Sequence, residues 1–491
     1  MIRKWQKWDW GWKAAGLGIL FVGLFKVWLI FQVPICAFHN DSHTYLRTAK
    51  MFWEDWHIGI HPKRSFLYPT ILTLLAPLPV RLSLTILWLQ HLATLLLPLI
   101  TVRFLKEWTV FWRWLAFPLV LAVGLNASIL FFSHDMIAEA LYVSVFWFFL
   151  WKLWQFISGP SLGRCERLLW TAILCVALRP DGKMAILMAF GAIIFFGRDW
   201  VRQFNFRSKK TVRLLLPTLA CIGLWVAISK HVTQQGWLFY SSVFPLTNLD
   251  SDLHQDYKKE LKPFVKEWRS HLPDYPENQG VIQWLLINPK GESIGPLWDQ
   301  LRSKGQNKKL HNVCRQLAVE AVLSHPWQFV KLLAYKLHFT LLAERDYARK
   351  FLPEKIGDEW VDEMKAEPAY LPLLLGKYQT WEKWQDDFFA QRGETLVSRT
   401  IAILESIFSP KWWSWAGILA LMGWMMALLK ERERLLFWLG SLVAYLFLTY
   451  TIGRGIPRYL LPFEPAMALG WALAVGLMAE LLFLKRFGKA R

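Results

Sequence analysis

A series of long apolar runs, separated by short charged turns, limits the fold of this 491-residue chain more than any other feature. The first run extends from about Ala14 to Ile35 after a basic start and has no small-residue cleavage site, so we predict a retained first helix rather than a signal peptide. Nine further runs lie near residues 82–102, 114–132, 137–157, 168–178, 184–197, 212–230, 412–429, 435–452 and 461–484. Because roughly 20 apolar residues in a helix cross a bilayer, the pattern predicts an all-α, multi-pass membrane protein with about ten transmembrane helices.

The charged residues between the runs predict the orientation of the chain. The formal net charge is +20, and the basic residues lie mostly in clusters on every second turn. Positively charged turns stay in the cytoplasm, which places both termini there and the alternate turns outside. Such clusters bind anionic membrane lipid, and since no basic stripe follows a polar fold, we expect no nucleic-acid partner.

This topology predicts the domain organisation. The parts are an N-terminal transmembrane module at 1–230 with the first outer loop at 36–81, an extracytoplasmic segment at 231–411, and C-terminal transmembrane helices at 412–491. We expect the extracytoplasmic segment to be mostly helical, since its apolar side chains recur at helical and not at strand spacing. Within it, residues 328–342 and 396–408 have the pattern of amphipathic helices that lie on the outer membrane face.

The first outer loop carries a carboxylate at the head of a helical pattern. Apolar or aromatic side chains follow Asp41 at Tyr45, Ala49, Phe52 and Trp56, which places them on one helix face. Two interpretations of Asp41 stay open. It is either a functional carboxylate on this face or simply the N-cap of the helix.

Two histidines and an arginine complete the polar content of this loop. His39 and His43 flank Asp41, which leaves a divalent metal site open as an alternative to surface histidines that make hydrogen bonds. Arg64 precedes Phe66-Leu67-Tyr68-Pro69 and is either a phosphate-binding group or an arginine that extends to the lipid headgroups. The sequence by itself requires no metal and no other cofactor.

Charged side chains also occur at membrane depth further along the chain. His134, Asp135 and Glu139 lie between the third and fourth runs, and the spacing of the two carboxylates places them on one helix face. The segment Arg179-Pro180-Asp181-Gly182-Lys183 separates two runs that are short for a bilayer. Such groups are costly in lipid unless they line a cavity or pair with one another, which favours a functional role.

Five motifs along the chain are, in order, Asp41-Ser42-x-x-Tyr45-x-x-x-Ala49, Arg64-x-x-Leu67-Tyr68-Pro69, Leu178-Arg179-Pro180-Asp181-Gly182, His325-Pro326-Trp327 and Arg458-Tyr459-Leu460-Leu461-Pro462-x-x-Pro465. Together these motifs resemble the GT-C superfamily of polyprenyl-phosphate-sugar glycosyltransferases. They are most similar to the bacterial branch related to protein O-mannosyltransferases and the lipid A aminoarabinose transferase. The resemblance covers about residues 38–200 and 320–470 and leaves out 232–320. It implies a GT-C-like helical bundle in a bacterial inner membrane, with interfacial helices and the active site on the periplasmic or exterior face.

The resemblance also implies roles for individual residues. Asp41 would be the catalytic base, and because Asn40 stands where several relatives have a second acid, Asp135 or Glu139 would supply the other carboxylate. The candidates for binding the lipid phosphate are Arg64, Arg179, Lys183 and Arg458. The other substrate-binding candidates are His43, Tyr45, Tyr68, His134 and Tyr459.

The chemistry of such a reaction fits these residue types. A sugar on a lipid phosphate already has a good leaving group, so the enzyme must deprotonate an acceptor hydroxyl and stabilise the departing phosphate. The expected partners are a polyprenyl-phosphate-linked sugar, membrane lipid, and a glycan, lipid or protein acceptor. One-step displacement would invert the anomeric centre. Two other classes stay open, namely a flippase or transporter for lipid-linked sugars and a GT-C-like oligosaccharide polymerase or ligase.

Overall fold

The computed structural model describes residues 10–37, 40–55, 65–76, 82–197, 209–232, 236–288, 292–342, 347–351, 396–408, 413–430, 432–452 and 461–487. These residues are almost entirely α-helical. Within these ranges there is no β-strand, only an isolated bridge between Ala37 and Asp135. The predicted all-α class is therefore confirmed.

The helices begin and end as follows. The first are α1 (Trp10–Gln32), α2 (Asn40–Asp55), α3 (Leu67–Leu75), α4 (Leu82–Thr94), α5 (Leu96–Trp108), α6 (Trp112–Gly124), α7 (Ala127–His134), α8 (Glu139–Ile157), α9 (Leu162–Leu178), α10 (Lys183–Phe196) and α11 (Lys209–Val232). The next are α12 (Gly236–Val243), α13 (Gln255–Ser270), α14 (Tyr275–Ile287), α15 (Pro296–Arg302), α16 (Asn307–Ser324) and α17 (Pro326–Leu342). The last are α18 (Tyr347–Lys350), α19 (Leu396–Phe408), α20 (Trp413–Lys430), α21 (Arg432–Ile452) and α22 (Glu464–Phe487).

Several of these helices fit a membrane by length and composition. Four described segments are long and apolar enough to cross one, namely Trp10–Gln32, Leu82–Trp108, Glu139–Ile157 and Leu461–Leu482. Helices α6 and α7 pass the same test together as a broken span with a bend of 44°. Shorter apolar helices lie at Leu214–Val226 and Ile418–Leu429. Four or five spans are thus found in the described residues, and the bundle of about ten stays a prediction.

The chain folds into two compact units. One contains residues 1–221, 344–440 and 461–491, and the other contains residues 222–343 and 441–460. All candidate site residues that the structure describes belong to the first unit. The three-part division expected from the sequence stays a prediction.

In the first unit, α1 packs closely against α6 because two glycines remove side chains from the contact. A Cβ on Gly18 would lie 2.9 Å from Val120 Cγ1, and a Cβ on Gly124 would lie 2.7 Å from Val22 Cγ1. Small residues of this kind let two helices approach closely, which is how helices associate in lipid. The first apolar run is therefore an integral part of this unit.

Aromatic rings fill the interior of the first unit. Phe104, Trp147 and Trp438 form a triangle with ring centroids 5.9 Å, 5.2 Å and 6.2 Å apart. The indole of Trp147 donates to the Pro462 carbonyl at 2.8 Å, and the indole of Trp438 donates to the Leu150 carbonyl at 3.2 Å. These tryptophans pack the core, although tryptophan in an apolar run more often indicates an anchor at the membrane surface.

The second unit has a core of its own. The Trp298 ring stacks 6.5 Å from Tyr240, and its indole donates to the Tyr257 carbonyl at 3.1 Å. The Glu260 carboxylate accepts from the backbone N–H groups of Leu297 and Trp298 at 3.1 and 3.2 Å. These N–H groups belong to the first turn of α15 and have no carbonyl partner within the helix. The Glu260 carboxylate accepts from them, and its negative charge interacts favourably with the positive end of the helix dipole.

Both predicted amphipathic helices are helices in the structure. They are α17 and α19, and their location on a membrane face stays a prediction. Helix α17 exposes Trp327, Val330 and Lys331 and buries Lys336, whose Nζ donates to Ser242 Oγ. One of the lysines in this helix is therefore directed into the unit rather than toward headgroups.

The buried lysine makes the stability of the second unit depend on pH. Burial lowers the pKa of Lys336 from 10.5 to about 7. Between these values the unfolded chain binds a proton that the folded protein does not, so the free energy of unfolding rises as the pH increases from 7 to 9. We expect the wild-type Tm in detergent to rise over this window more than the Tm of K336M. The exposed control K331M should keep the wild-type dependence, and an unchanged dependence in K336M would contradict the burial of a neutral lysine.

Candidate functional site

Tyr68 is the junction at which several predicted site residues meet. Its ring packs edge-on against Tyr45 with centroids 4.9 Å apart, and its hydroxyl donates to Gln90 Oε1 at 2.9 Å. Burial raises the pKa of Tyr68, and the neighbouring groups that raise it further include Asp135 and Glu139. Helices α2 and α3 therefore meet at one buried phenol, and Asp135 and Glu139 are near enough to affect its pKa.

A short backbone bridge joins the chain before α2 to the break after α7. The Ala37 N–H donates to the His134 carbonyl at 2.6 Å, and the Met136 N–H donates to the Ala37 carbonyl at 3.0 Å. The Gln90 amide donates to the carbonyl of Asp135 at 2.7 Å. Because Ala37 precedes Asp41 by only four residues, this bridge brings the start of α2 toward the carboxylates.

Asp41 is the second residue of α2 and is partly exposed. The N-cap position therefore precedes it, and Asp41 lies in the first helical turn, where the positive end of the helix dipole favours a carboxylate. The Thr44 hydroxyl donates to the Asp41 carbonyl at 2.7 Å. Tyr45 and Ala49 are buried on the same side of the helix, as their spacing predicted.

A second charged group, which we call the Arg179 cluster, consists of Glu139, Arg179 and Asp181. The Arg179 guanidinium donates to the Glu139 carboxylate and, through Nε, to Asp181 Oδ1 at 2.9 Å. It also lies over the Tyr142 ring, 5.4 Å from the centroid. The Arg179 and Glu139 side chains are only 13% and 6% exposed, so this is a largely buried ion pair.

The local backbone explains how Arg179 reaches Glu139. Arg179 is extended at the end of α9, and a 3-10 turn at Pro180–Gly182 leads directly into Lys183, the first residue of α10. A Cβ on Gly182 would lie 2.3 Å from the backbone of Cys175, so only glycine fits this tight turn. Only four residues, Arg179 to Gly182, separate the end of α9 from the start of α10.

The His134 side chain is surrounded by protein groups. It is fully buried, its Nδ1 lies 2.8 Å from His91 Nε2, and its Nε2 lies 3.2 Å from the Val33 carbonyl. Both ring nitrogens therefore have protein partners. The structure brings His134 next to the site through the hydrogen bond of its carbonyl with Ala37.

Several predicted residues lie outside the described part of the chain. These are Arg64, Arg458, Tyr459 and His39, and the side chain of His43. Their roles stay predictions. Within the described ranges, no group of three or more His, Cys, Asp and Glu side chains is arranged to hold a metal ion.

Four buried polar residues in the spans were missed by the sequence interpretation. Lys26 Nζ donates to Thr94 Oγ1 at 2.6 Å, and Gln90 and His91 lie one turn earlier on α4. The sequence feature that could have identified them is a polar residue inside an apolar run. In a membrane protein, such a residue is expected to have a specific hydrogen-bond partner.

Comparison of the sequence with models of known protein families, and with curated protein sequences, finds no match. The chemistry of the site therefore has to be inferred from its residues. Carboxylates can accept a proton, and buried cations can stabilise an anion where water is scarce.

The ion pair should matter for stability. Replacing Arg179 with alanine leaves the Glu139 carboxylate, which is 6% exposed, without its guanidinium partner. Loss of one partner of a buried pair costs about 3 to 5 kcal/mol. We expect R179A to reduce the free energy of unfolding in detergent by this amount, and E139Q added to R179A to recover part of it. The control is R167A, an exposed arginine on α9, and an equal loss in that variant would contradict the assignment.

Proposed function

We propose that this protein is an integral membrane glycosyltransferase of the GT-C type. It transfers a sugar from a polyprenyl-phosphate donor to a hydroxyl of a glycan, lipid or protein acceptor at the extracytoplasmic face. The observation that carries the proposal is the junction at Tyr68. Its ring packs against Tyr45 of the helix that contains Asp41, and its hydroxyl is joined through Gln90 to the backbone carbonyl of Asp135. Carboxylates gathered from distant parts of a chain beside apolar helices support a reaction at the membrane surface.

The reaction is a single displacement at the anomeric carbon. Asp41 accepts the proton of the acceptor hydroxyl as its oxygen forms a bond to the anomeric carbon. The bond between that carbon and the phosphate oxygen breaks, and the electron pair leaves with the polyprenyl phosphate. The configuration at the anomeric carbon is inverted.

The charges of the Arg179 cluster argue against Arg179 as the residue that binds the lipid phosphate. Arg179 already contacts two carboxylates, Glu139 and Asp181, so its positive charge is largely compensated. We therefore assign Arg179 to positioning Glu139, and assign the phosphate first to Arg64. Arginine suits this role because its planar fork makes two charge-assisted hydrogen bonds to one phosphate.

A flippase for lipid-linked sugars is the second candidate. The observation that favours it is the set of polar groups inside apolar helices, among them Lys26, Thr94 and His91, which a path across the membrane would need. These side chains are buried and contact one another, the backbone or His134, which supports an interior packing role instead.

The Asp41→Asn variant tests the proposed base. Asparagine has the same shape, so α2 and donor binding should be retained while proton transfer is lost. Removal of a general base lowers rates by about 10² to 10⁴. We expect this loss in polyprenyl phosphate released by purified protein in nanodiscs supplied with lipid-linked sugar. Asp135→Asn and Glu139→Gln should be less severe.

The matched control for this experiment is Asp252→Asn, an exposed aspartate in the second unit. It should transfer sugar at the wild-type rate. Transfer by Asp41→Asn at the wild-type rate would exclude Asp41 as the base. If the wild-type protein releases no polyprenyl phosphate but moves the lipid between leaflets, the flippase candidate is supported and the transferase is excluded.

A further inference from the structure

One buried side chain, Gln90, uses its entire amide group to join two segments of the candidate site. It lies in α4, in an apolar span, and is fully buried. Its Nε2 donates to the carbonyls of Ser133 and Asp135 at 3.0 and 2.7 Å, and its Oε1 accepts from the Tyr68 hydroxyl at 2.9 Å. A glutamine amide has two N–H donors and a carbonyl oxygen, so the amide is matched to these three partners.

The two carbonyls that Gln90 binds belong to the break between α7 and α8. The last carbonyls of a helix have no partner within the helix, and in an apolar environment water cannot supply one. Ser133 is held a second time, since Thr94 Oγ1 lies 3.3 Å from its hydroxyl one turn further along α4. The break is therefore fixed to α4 by side chains rather than by contact with solvent.

The same break is bonded to the chain that leads into α2. The hydrogen bonds of Ala37 with His134 and Met136 flank Asp135, whose carbonyl Gln90 binds. The other end of the Gln90 amide holds Tyr68, which packs against Tyr45 one turn after Asp41. A change at Gln90 thus reaches both carboxylate-bearing segments without touching a carboxylate.

We propose that Gln90 is a positioning residue that sets the arrangement of the Asp135 break relative to the helix of Asp41. This inference rests on the proposed glycosyl transfer for its effect on rate. Gln90 contacts no reacting atom. It acts by fixing backbone carbonyls and a phenol, so its loss should lower kcat while leaving the KM for the lipid-linked donor nearly unchanged.

Two substitutions separate positioning from simple packing. Gln90→Glu keeps the size of the side chain but loses the pair of N–H donors that face two carbonyls. Tyr68→Phe keeps the ring contact with Tyr45 and removes only the hydroxyl bonded to Gln90. Because misplacement of reacting groups by about 1 Å can cost on the order of a hundredfold in rate, we expect kcat of Gln90→Glu to fall about ten- to a hundredfold and that of Tyr68→Phe to fall less.

The matched control is Thr101→Val. Thr101 is fully buried, lies in α5, and makes one hydrogen bond to the Pro98 carbonyl at 2.9 Å. It touches none of the site segments in the described structure, so its kcat should equal that of the wild type. An equal loss of kcat in Thr101→Val, or a wild-type kcat in Gln90→Glu, would overturn the proposal.

A second measurement does not depend on activity. Hydrogen–deuterium exchange of the wild-type protein and the variants in nanodiscs reports on the Ala37 and Met136 amides, which form the bridge. We expect faster exchange in peptides around these residues in Gln90→Glu and wild-type exchange in Thr101→Val. Unchanged exchange in Gln90→Glu would overturn the positioning role. If the wild-type protein transfers no sugar, the proposed function fails, and the exchange experiment still decides whether Gln90 holds the two segments together.

Discussion

The break in the helical backbone between α7 and α8 is the constraint on which the described site depends. Peptide groups beside apolar helices need partners from the protein, because lipid provides none. Here the partners are the Gln90 amide and the backbone of Ala37. These hydrogen bonds also fix where Asp135 lies in the break and where Glu139 begins the next helix. The positions of the two carboxylates therefore follow from the need to satisfy the backbone.

Electrostatics adds a second constraint on the same region. Glu139 is buried at the start of α8, and a buried carboxylate requires a cation and hydrogen bonds. Arg179 supplies the cation from a turn that requires glycine at position 182, and Asp181 shares it. This compensation makes the cluster suited to orienting a carboxylate. It leaves the binding of a lipid phosphate, in the proposed function, to arginines elsewhere.

Local features of the sequence predicted local structure well. The spacing of Tyr45 and Ala49 after Asp41 predicted the buried face of α2, and the Arg179–Lys183 segment predicted the interruption between α9 and α10. Pairings between distant residues were not predictable, since nothing in the spacing links Glu139 to Arg179. Gln90 was missed for the same reason, because its three partners are brought to it only by the tertiary fold. The interior position of Trp147 and Trp438 was also not predictable. In a helix that is apolar all round, the sequence does not indicate which side packs against another helix.

The central claim is tested most directly by finding where on the protein the lipid phosphate of the donor binds. A polyprenyl-phosphate sugar analogue with a diazirine in its first isoprene unit can be photolysed in membranes that contain the protein, and the labelled peptides identified by mass spectrometry. We expect labelling, removed by excess natural donor, in peptides that carry residues 41–68 or 135–139. Labelling confined to residues 236–342, or to the basic turn at 198–213, would contradict a transferase site built on Asp41 and the Asp135 break.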